Sequence, residues 1–111
     1  MALEPVRYYC PCCGYDGLGC PAYECLSSPP WGDFGTPPYG QTLGMPSYEV
    51  CACCGFEFGF DDDPGASEGT SFEAYLNEWI ETGANWFTPA KRPNNWELQK
   101  QIAVVQKEPV R

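Results

Sequence analysis

The 111-residue chain contains no histidine. That removes the commonest general base and the usual third ligand of a catalytic zinc centre, and it excludes any site mixing cysteine with histidine. Basic residues are scarce as well, 6 against 15 acidic ones, for a formal charge of -9. They are Arg7, Lys91, Arg92, Lys100, Lys107 and Arg111, and only Lys91 and Arg92 are adjacent. Proteins hold nucleic acid through clustered Lys and Arg, so this charge disfavours nucleic acid as a partner. The chain has no run of about 18 apolar residues with which to cross a membrane. Residues 1–7, Met-Ala-Leu-Glu-Pro-Val-Arg, show neither the basic start nor the apolar stretch of a signal peptide. A cytoplasmic protein is expected. A phosphate-binding Gly loop and a nucleophile–base constellation are also missing, so no enzymatic activity is expected.

What the chain does have is cysteine, eight in all. Six of them fall in one pattern written twice, Cys10-Pro11-Cys12-Cys13-Gly14-Tyr15 and Cys51-Ala52-Cys53-Cys54-Gly55-Phe56. Each copy holds a C-x-x-C pair closed by glycine. Two residues between cysteines let both sulfurs converge on one ion while the backbone turns beneath them. The glycine adopts a positive φ cheaply and lets turn amides face the sulfurs, and Pro11 presets φ at the entry to the first turn. Cys10, Cys13, Cys51 and Cys54 are therefore assigned as four metal ligands. An oxidising compartment would favour disulfides instead, whereas a reducing one favours thiolate ligands, which is the reading taken here. A closed four-cysteine site is structural far more often than catalytic.

Three readings remain for the other cysteines. Cys12, Cys20, Cys25 and Cys53 could together hold a second zinc, Cys20 and Cys25 could form a redox-switched disulfide, or all four could be ordinary buried or free thiols. The last is favoured.

The 12 glycines and 12 prolines predict a loop-rich backbone, which at this size calls for a staple such as a metal. Residues 6–9 and 48–50 are short β-prone runs leading into the knuckles. Phe56, Phe58 and Phe60 alternate after the second, as core-facing positions of a strand. Between the knuckles, an irregular insertion at 16–46 carries Pro29-Pro30-Trp31-Gly32 and Pro37-Pro38-Tyr39-Gly40, both turn or polyproline signals. Its Tyr23, Trp31, Phe34 and Tyr39 either pack back on the ribbon, the favoured reading, or form a partner-binding surface. Asp61-Asp62-Asp63-Pro64-Gly65 reads as a solvated acidic turn. Thr70-x-x-Glu73 is a capping box opening a helix with Phe72, Tyr75, Leu76, Trp79 and Ile80 on one face and Gly83 beyond its end. A second helix is expected from near Trp96, with Leu98, Ile102 and Val105 on one side. Both helices are expected to cover the ribbon.

Tyr9-Cys10-Pro11-Cys12-Cys13-Gly14-Tyr15, Tyr48-Glu49-Val50-Cys51, Cys54-Gly55-Phe56-Glu57-Phe58-Gly59 and Asp61-Asp62 resemble the small bacterial CPCC-type cysteine-rich, zinc-ribbon-like proteins. The Phe72, Tyr75, Trp79, Ile80, Gly83 and Trp86 stretch and Pro93-Asn94-Asn95-Trp96 are similar to that group's C-terminal half. The insertion with Cys20 and Cys25 has no counterpart there. The resemblance implies a metal-binding fold and a bacterial origin, but no reaction. Rubredoxins also pair two C-x-x-C-Gly knuckles on an acidic, aromatic-rich chain, so an iron-binding electron carrier is the alternative. The longer gap between Cys13 and Cys51 and the C-terminal helices point away from it.

The sequence thus predicts one α+β domain over residues 1–111. Residues 1–60 form a four-cysteine zinc ribbon of two knuckles and short antiparallel strands, interrupted by the insertion at 16–46. Residues 61–111 form a helical part packed on it. The expected role is a protein-interaction module with a structural Zn²⁺ site and another protein as its partner.

Overall fold

A computed structural model describes residues 7–105 apart from 28, 30, 33, 64 and 66–68. Pro30, Pro64, Lys107, Arg111 and residues 1–6, which hold Val6 and all but Arg7 of the segment read for a signal peptide, lie outside the described residues. Three short α-helices punctuate the described chain: α1 (Gly40–Leu43), α2 (Phe72–Glu81) and α3 (Leu98–Ile102), with a 3₁₀ turn at Pro89–Lys91. No helix among the described residues is long and apolar enough to cross a membrane.

The expected strands shrink to isolated β-bridges among the described residues. Val50 pairs with Glu57, Tyr8 with Gly17 and Leu18, and Tyr23 with Pro46. Beyond the second knuckle the hairpin makes one further bond, from the Phe58 amide to the Glu49 carbonyl (3.2 Å). There both arms turn away, because Tyr48 (φ 62°) and Gly59 (φ 95°) leave the extended region. The same break corrects the alternation of aromatics. Phe56 and Phe58 are fully buried, but Phe60 follows Gly59 and stands 45% exposed.

The insertion folds back on itself. Its arms are tied by Glu24 N–H to Met45 O (2.9 Å), Cys25 N–H to Leu43 O (2.8 Å) and Ser47 N–H to Ala22 O (2.9 Å), with α1 leading into the returning arm. Tyr23 and Tyr39 point into the core, as the packing reading expects, and Trp31 and Phe34 are half-buried. Tyr39 stacks on Phe72 with centroids 3.9 Å apart and 8° between planes. Tyr23 meets Tyr39, Phe58 and Phe72 edge-on. Such pairs add about 0.5–1.5 kcal/mol each beyond the area they bury.

Asp62 is the largest departure from the sequence reading. It is buried, not solvated, and accepts three hydrogen bonds of 2.9 Å. The Tyr23 hydroxyl and the Tyr39 amide donate to Oδ2, and the Gly59 amide donates to Oδ1. A buried carboxylate survives only when its lone pairs are satisfied in this way. It locks the insertion to the second knuckle's outgoing arm.

Ser71, not Thr70, caps α2: its hydroxyl accepts the Ala74 amide (3.1 Å). The capping box cannot close at Thr70 because that residue's amide already donates to the Asp61 carbonyl (2.9 Å). The Tyr39 hydroxyl takes a second orphan amide, that of Phe72 (3.1 Å), so the insertion also caps the helix. At the other end, Gly83 N–H bonds Ile80 O and Ala84 N–H bonds Trp79 O, a Schellman closure around a glycine at φ 113°. Phe72 and Trp79 are buried, and Tyr75, Leu76 and Ile80 pack against the core from the same face.

The second helix begins at Leu98, two residues beyond Trp96, and ends before Val105. It buries Ile102. A tryptophan cluster seats it: Trp96 meets Trp86 and Trp79 edge-on (5.4 and 6.3 Å), and Trp86 meets Tyr15 of the first knuckle in the same manner (5.4 Å).

Candidate metal centre

The two knuckles share one local geometry. In the first, Cys10 N–H donates to Tyr15 O (2.7 Å) and Gly14 N–H to Cys10 O (2.8 Å). In the second, Cys51 N–H donates to Phe56 O (3.0 Å) and Gly55 N–H to Cys51 O (2.9 Å). Gly14 (φ 89°) and Gly55 (φ 85°) take the positive φ that the closing position requires. The Cys12 amide turns toward the Cys10 sulfur (3.3 Å), the kind of donor that stabilises a thiolate.

Across the two knuckles, the four sulfurs of Cys10, Cys13, Cys51 and Cys54 lie within 4.8 Å of one another. Cys10 and Cys54 are 3.9 Å apart, Cys13 and Cys51 3.7 Å. Four sulfurs placed tetrahedrally at about 2.3 Å from one ion are about 3.8 Å apart, so both pairs fit that edge. Three of these residues are fully buried and Cys54 is 5% exposed. Without an ion the four cannot all ionise. Burial opposes ionisation of Cys10, yet hydrogen bonds from Cys12, Cys13, Cys51 and Cys54 outweigh it and hold that thiol well below its ordinary range. Burial, then the hydrogen bond with Cys10, pushes Cys13, Cys51 and Cys54 up. A divalent cation is what allows several thiolates to occupy so small and dry a space.

This is a four-cysteine site able to bind a metal ion.

The chain is 32% identical over 47 residues to YoaQ, an uncharacterised protein of Bacillus subtilis (strain 168), a match covering 33% of this chain and 40% of YoaQ. It is 28% identical over 99 residues to YozI, another uncharacterised protein of that organism, covering 80% of this chain and 69% of YozI. The chain thus spans less than half the length of the first relative. No family model matches the chain. No solved structure matches it either.

The other four cysteines do not come together. Cys12 is buried and donates to the Phe72 carbonyl (3.5 Å), while Cys53 is buried and accepts from Gln101 Nε2 (3.2 Å). Cys20 and Cys25 are exposed, with Cys20 donating to Glu49 (3.5 Å). Among the described residues no second cluster of three or more Cys, Asp or Glu gathers at metal distance, and all eight thiols are free. The second zinc site is therefore not assembled, because its members divide between core and surface. Cys20 and Cys25 both stand as thiols in this structure.

Gln101 is the residue that sequence reasoning missed. From α3, its Nε2 donates both to the Cys13 carbonyl (3.2 Å) and to the Cys53 sulfur, and its Oε1 accepts from Trp96 Nε1 (2.9 Å). One amide therefore ties the two knuckles together from outside the ligand shell. The available signal was a polar residue three positions after Leu98, on the apolar side of the helix. The second knuckle is backed by the connector after α2, where Phe87 N–H donates to Cys53 O (3.0 Å) and Thr88 N–H to Ala52 O (2.8 Å).

The two knuckle glycines should respond unequally to alanine. A Cβ at Gly14 collides with the Gln101 carbonyl oxygen, a backbone atom, whereas at Gly55 it meets Phe87 Cδ1 at 3.2 Å, an exposed ring able to move. Both variants incur the cost of a positive φ, about 1–2 kcal/mol. Gly14→Ala must also displace α3, for a total above about 2 kcal/mol. Thermal melts of the metal-loaded variants should rank Gly14→Ala clearly below Gly55→Ala; equal melting would contradict the seating of α3 on the first knuckle.

Proposed function

We propose that this chain is a protein-interaction module whose four-cysteine centre holds Zn²⁺ as a structural staple, in the manner of the CPCC-type zinc-ribbon-like proteins. The observation that carries this reading is closure. The four sulfurs satisfy a tetrahedral ion by themselves and are buried, which leaves no coordination position for substrate or water. Cys10, Cys13, Cys51 and Cys54 hold the ion, which supplies cross-linking and charge compensation. Gln101 and the amide of Cys12 orient the knuckles. The centre itself performs no reaction, and the net charge of -9 directs the chain toward a protein rather than a nucleic acid. The reading places the protein in a reducing cytoplasm, where the thiols stay available for metal.

Metal analysis and a visible spectrum of protein purified from iron-replete cells test the first half of the proposal. One equivalent of zinc and a colourless solution are expected, and a red iron form would overturn the staple in favour of an electron carrier. Affinity capture from the native cell extract tests the second half. A stoichiometric protein partner, lost when chelation strips the metal, is expected; substrate turnover at the centre would refute the reading.

A further inference from the structure

The insertion returns to the second knuckle through Met45-Pro46-Ser47-Tyr48, and this return leaves large apolar groups in water. Met45 is 69% exposed and Tyr48 60%. Pro46 and the Tyr48 ring meet at the backbone of Gly59, where a Cβ would lie 2.6 Å from Pro46 Cβ and 2.8 Å from Tyr48 Cε1, and Phe60, 45% exposed, follows that glycine in the chain. Pro46 and the Tyr48 ring thus press on the residue that precedes Phe60. Tyr48 also adopts a left-handed backbone (φ 62°), which costs a non-glycine residue about 1–2 kcal/mol, and its ring recovers little of that through burial. Strained residues of this kind concentrate where a protein binds something.

The chain around this face is acidic: the Glu24 carboxylate accepts the Met45 amide (3.1 Å), and Glu49, Glu57, Asp61 and Asp63 are sequence neighbours of Tyr48, Gly59 and Phe60, with Glu49 also accepting from the Gly19 amide, Asp61 from the Glu57 amide and Asp63 from the Gly65 amide. No Lys or Arg occurs between residues 8 and 90, and Arg7 is paired with Asp16 (2.8 Å). A second copy of the chain, carrying the same charge of -9, would bring one acidic stretch against another.

Resting on the reading of the chain as an interaction module, we propose that the Met45–Pro46–Tyr48–Phe60 face docks a basic segment of another protein. An aliphatic or aromatic anchor of that segment would lie on Tyr48 and Met45, and flanking Lys or Arg would face the carboxylates. The chemistry is that of a hot spot, an apolar centre flanked by complementary charge.

Selection of a random-peptide phage library on the immobilised, metal-loaded chain tests this. The expected winners carry Lys or Arg around an apolar anchor. Their synthetic versions should shift amide resonances at residues 45–48 and 59–60, and bind more weakly as salt rises. Tyr48→Asn keeps the left-handed backbone, which asparagine tolerates, while removing the ring. It should bind at least about tenfold more weakly, with metal content and melting temperature retained. Phe87→Ser, an exposed aromatic outside the face, serves as the control and should bind normally. Selection of acidic or neutral peptides, or peptides indifferent to Tyr48→Asn, overturns this face while sparing the interaction reading. Self-association abolished by Tyr48→Asn would assign the face to a second copy instead. No enrichment at all overturns the interaction reading and the face with it.

Discussion

The Cys13→Ser and Cys54→Ser variants are expected to lose their metal and most of their thermal stability together. Each replaced sulfur opens a sphere that no neighbouring group can close, because Cys12 and Cys53 are engaged with Phe72 and Gln101 and no histidine exists in the chain. A structural zinc contributes about 10–16 kcal/mol to the folding of small zinc-dependent peptides. The whole net stability of an ordinary domain is about 5–15 kcal/mol. Loss of the ion should therefore unfold the knuckles outright, and not lower the melting temperature by a few degrees. Metal analysis paired with a circular-dichroism melt reads both effects, and unchanged melting after verified metal loss would overturn the structural role. The same linkage has a sign in pH. Metal-bound thiolates are held below the free cysteine value of about 8.5, so their stabilisation is complete above that pH and is lost as acid returns the protons. The metal-bound fraction should accordingly fall steeply on acidification.

The second large effect lies away from the metal. Asp62→Ala should destabilise the protein by about 3 kcal/mol, because two buried donors and one part-buried donor lose their acceptor, at a cost of about 1–3 kcal/mol for each buried one, offset in part by removal of a buried charge. Asp62→Asn should lie between parent and alanine, since it keeps one acceptor oxygen but turns an amide group toward donors. Tyr23→Phe removes a single bond, at about 1 kcal/mol. Urea unfolding of the metal-loaded proteins gives the ranking, and parent-like stability of Asp62→Ala would remove the carboxylate from its role. Burial, reinforced by Asp62, pushes the Tyr23 phenol up. Its contribution is thus complete below the ordinary tyrosine value of about 10 and is lost as the pH rises further. Tyr23→Phe should flatten that alkaline loss.

The parts of this fold visible in the sequence are those fixed by local spacing. A C-x-x-C-Gly knuckle is closed within six residues, and the apolar face of α2 repeats every turn, so the site cysteines and the helix could be placed from the chain alone. Asp62 could not, since its partners Tyr23 and Tyr39 lie 39 and 23 positions away and an aspartate in an acidic run looks solvated. Gln101 reaches Cys13 across 88 positions. The missing strands have the opposite cause. Alternating residues at 56–60 promised a ladder, but two residues with positive φ, Tyr48 and Gly59, bend both arms away after two pairings. Capping at Ser71 was decided by a bond to Asp61 from outside the helix. Local chemistry was legible; closures between distant segments were not.

The cross-knuckle sulfur pairs carry a consequence for how this chain can vary. Cys13 and Cys51 are 38 positions apart in sequence, yet their sulfurs stand 3.7 Å apart, so a bound ion ties off everything between them as one closed ring. The entropy of closing such a ring grows only with the logarithm of its length, about 0.6 kcal/mol for each doubling. The tether therefore sets almost no limit on how much polypeptide is threaded between the knuckles. Long or short segments could be exchanged there with little effect on the anchor, provided that the tyrosines meeting Asp62 are kept. The binding face beside Met45 and Tyr48 sits at the end of that exchangeable ring.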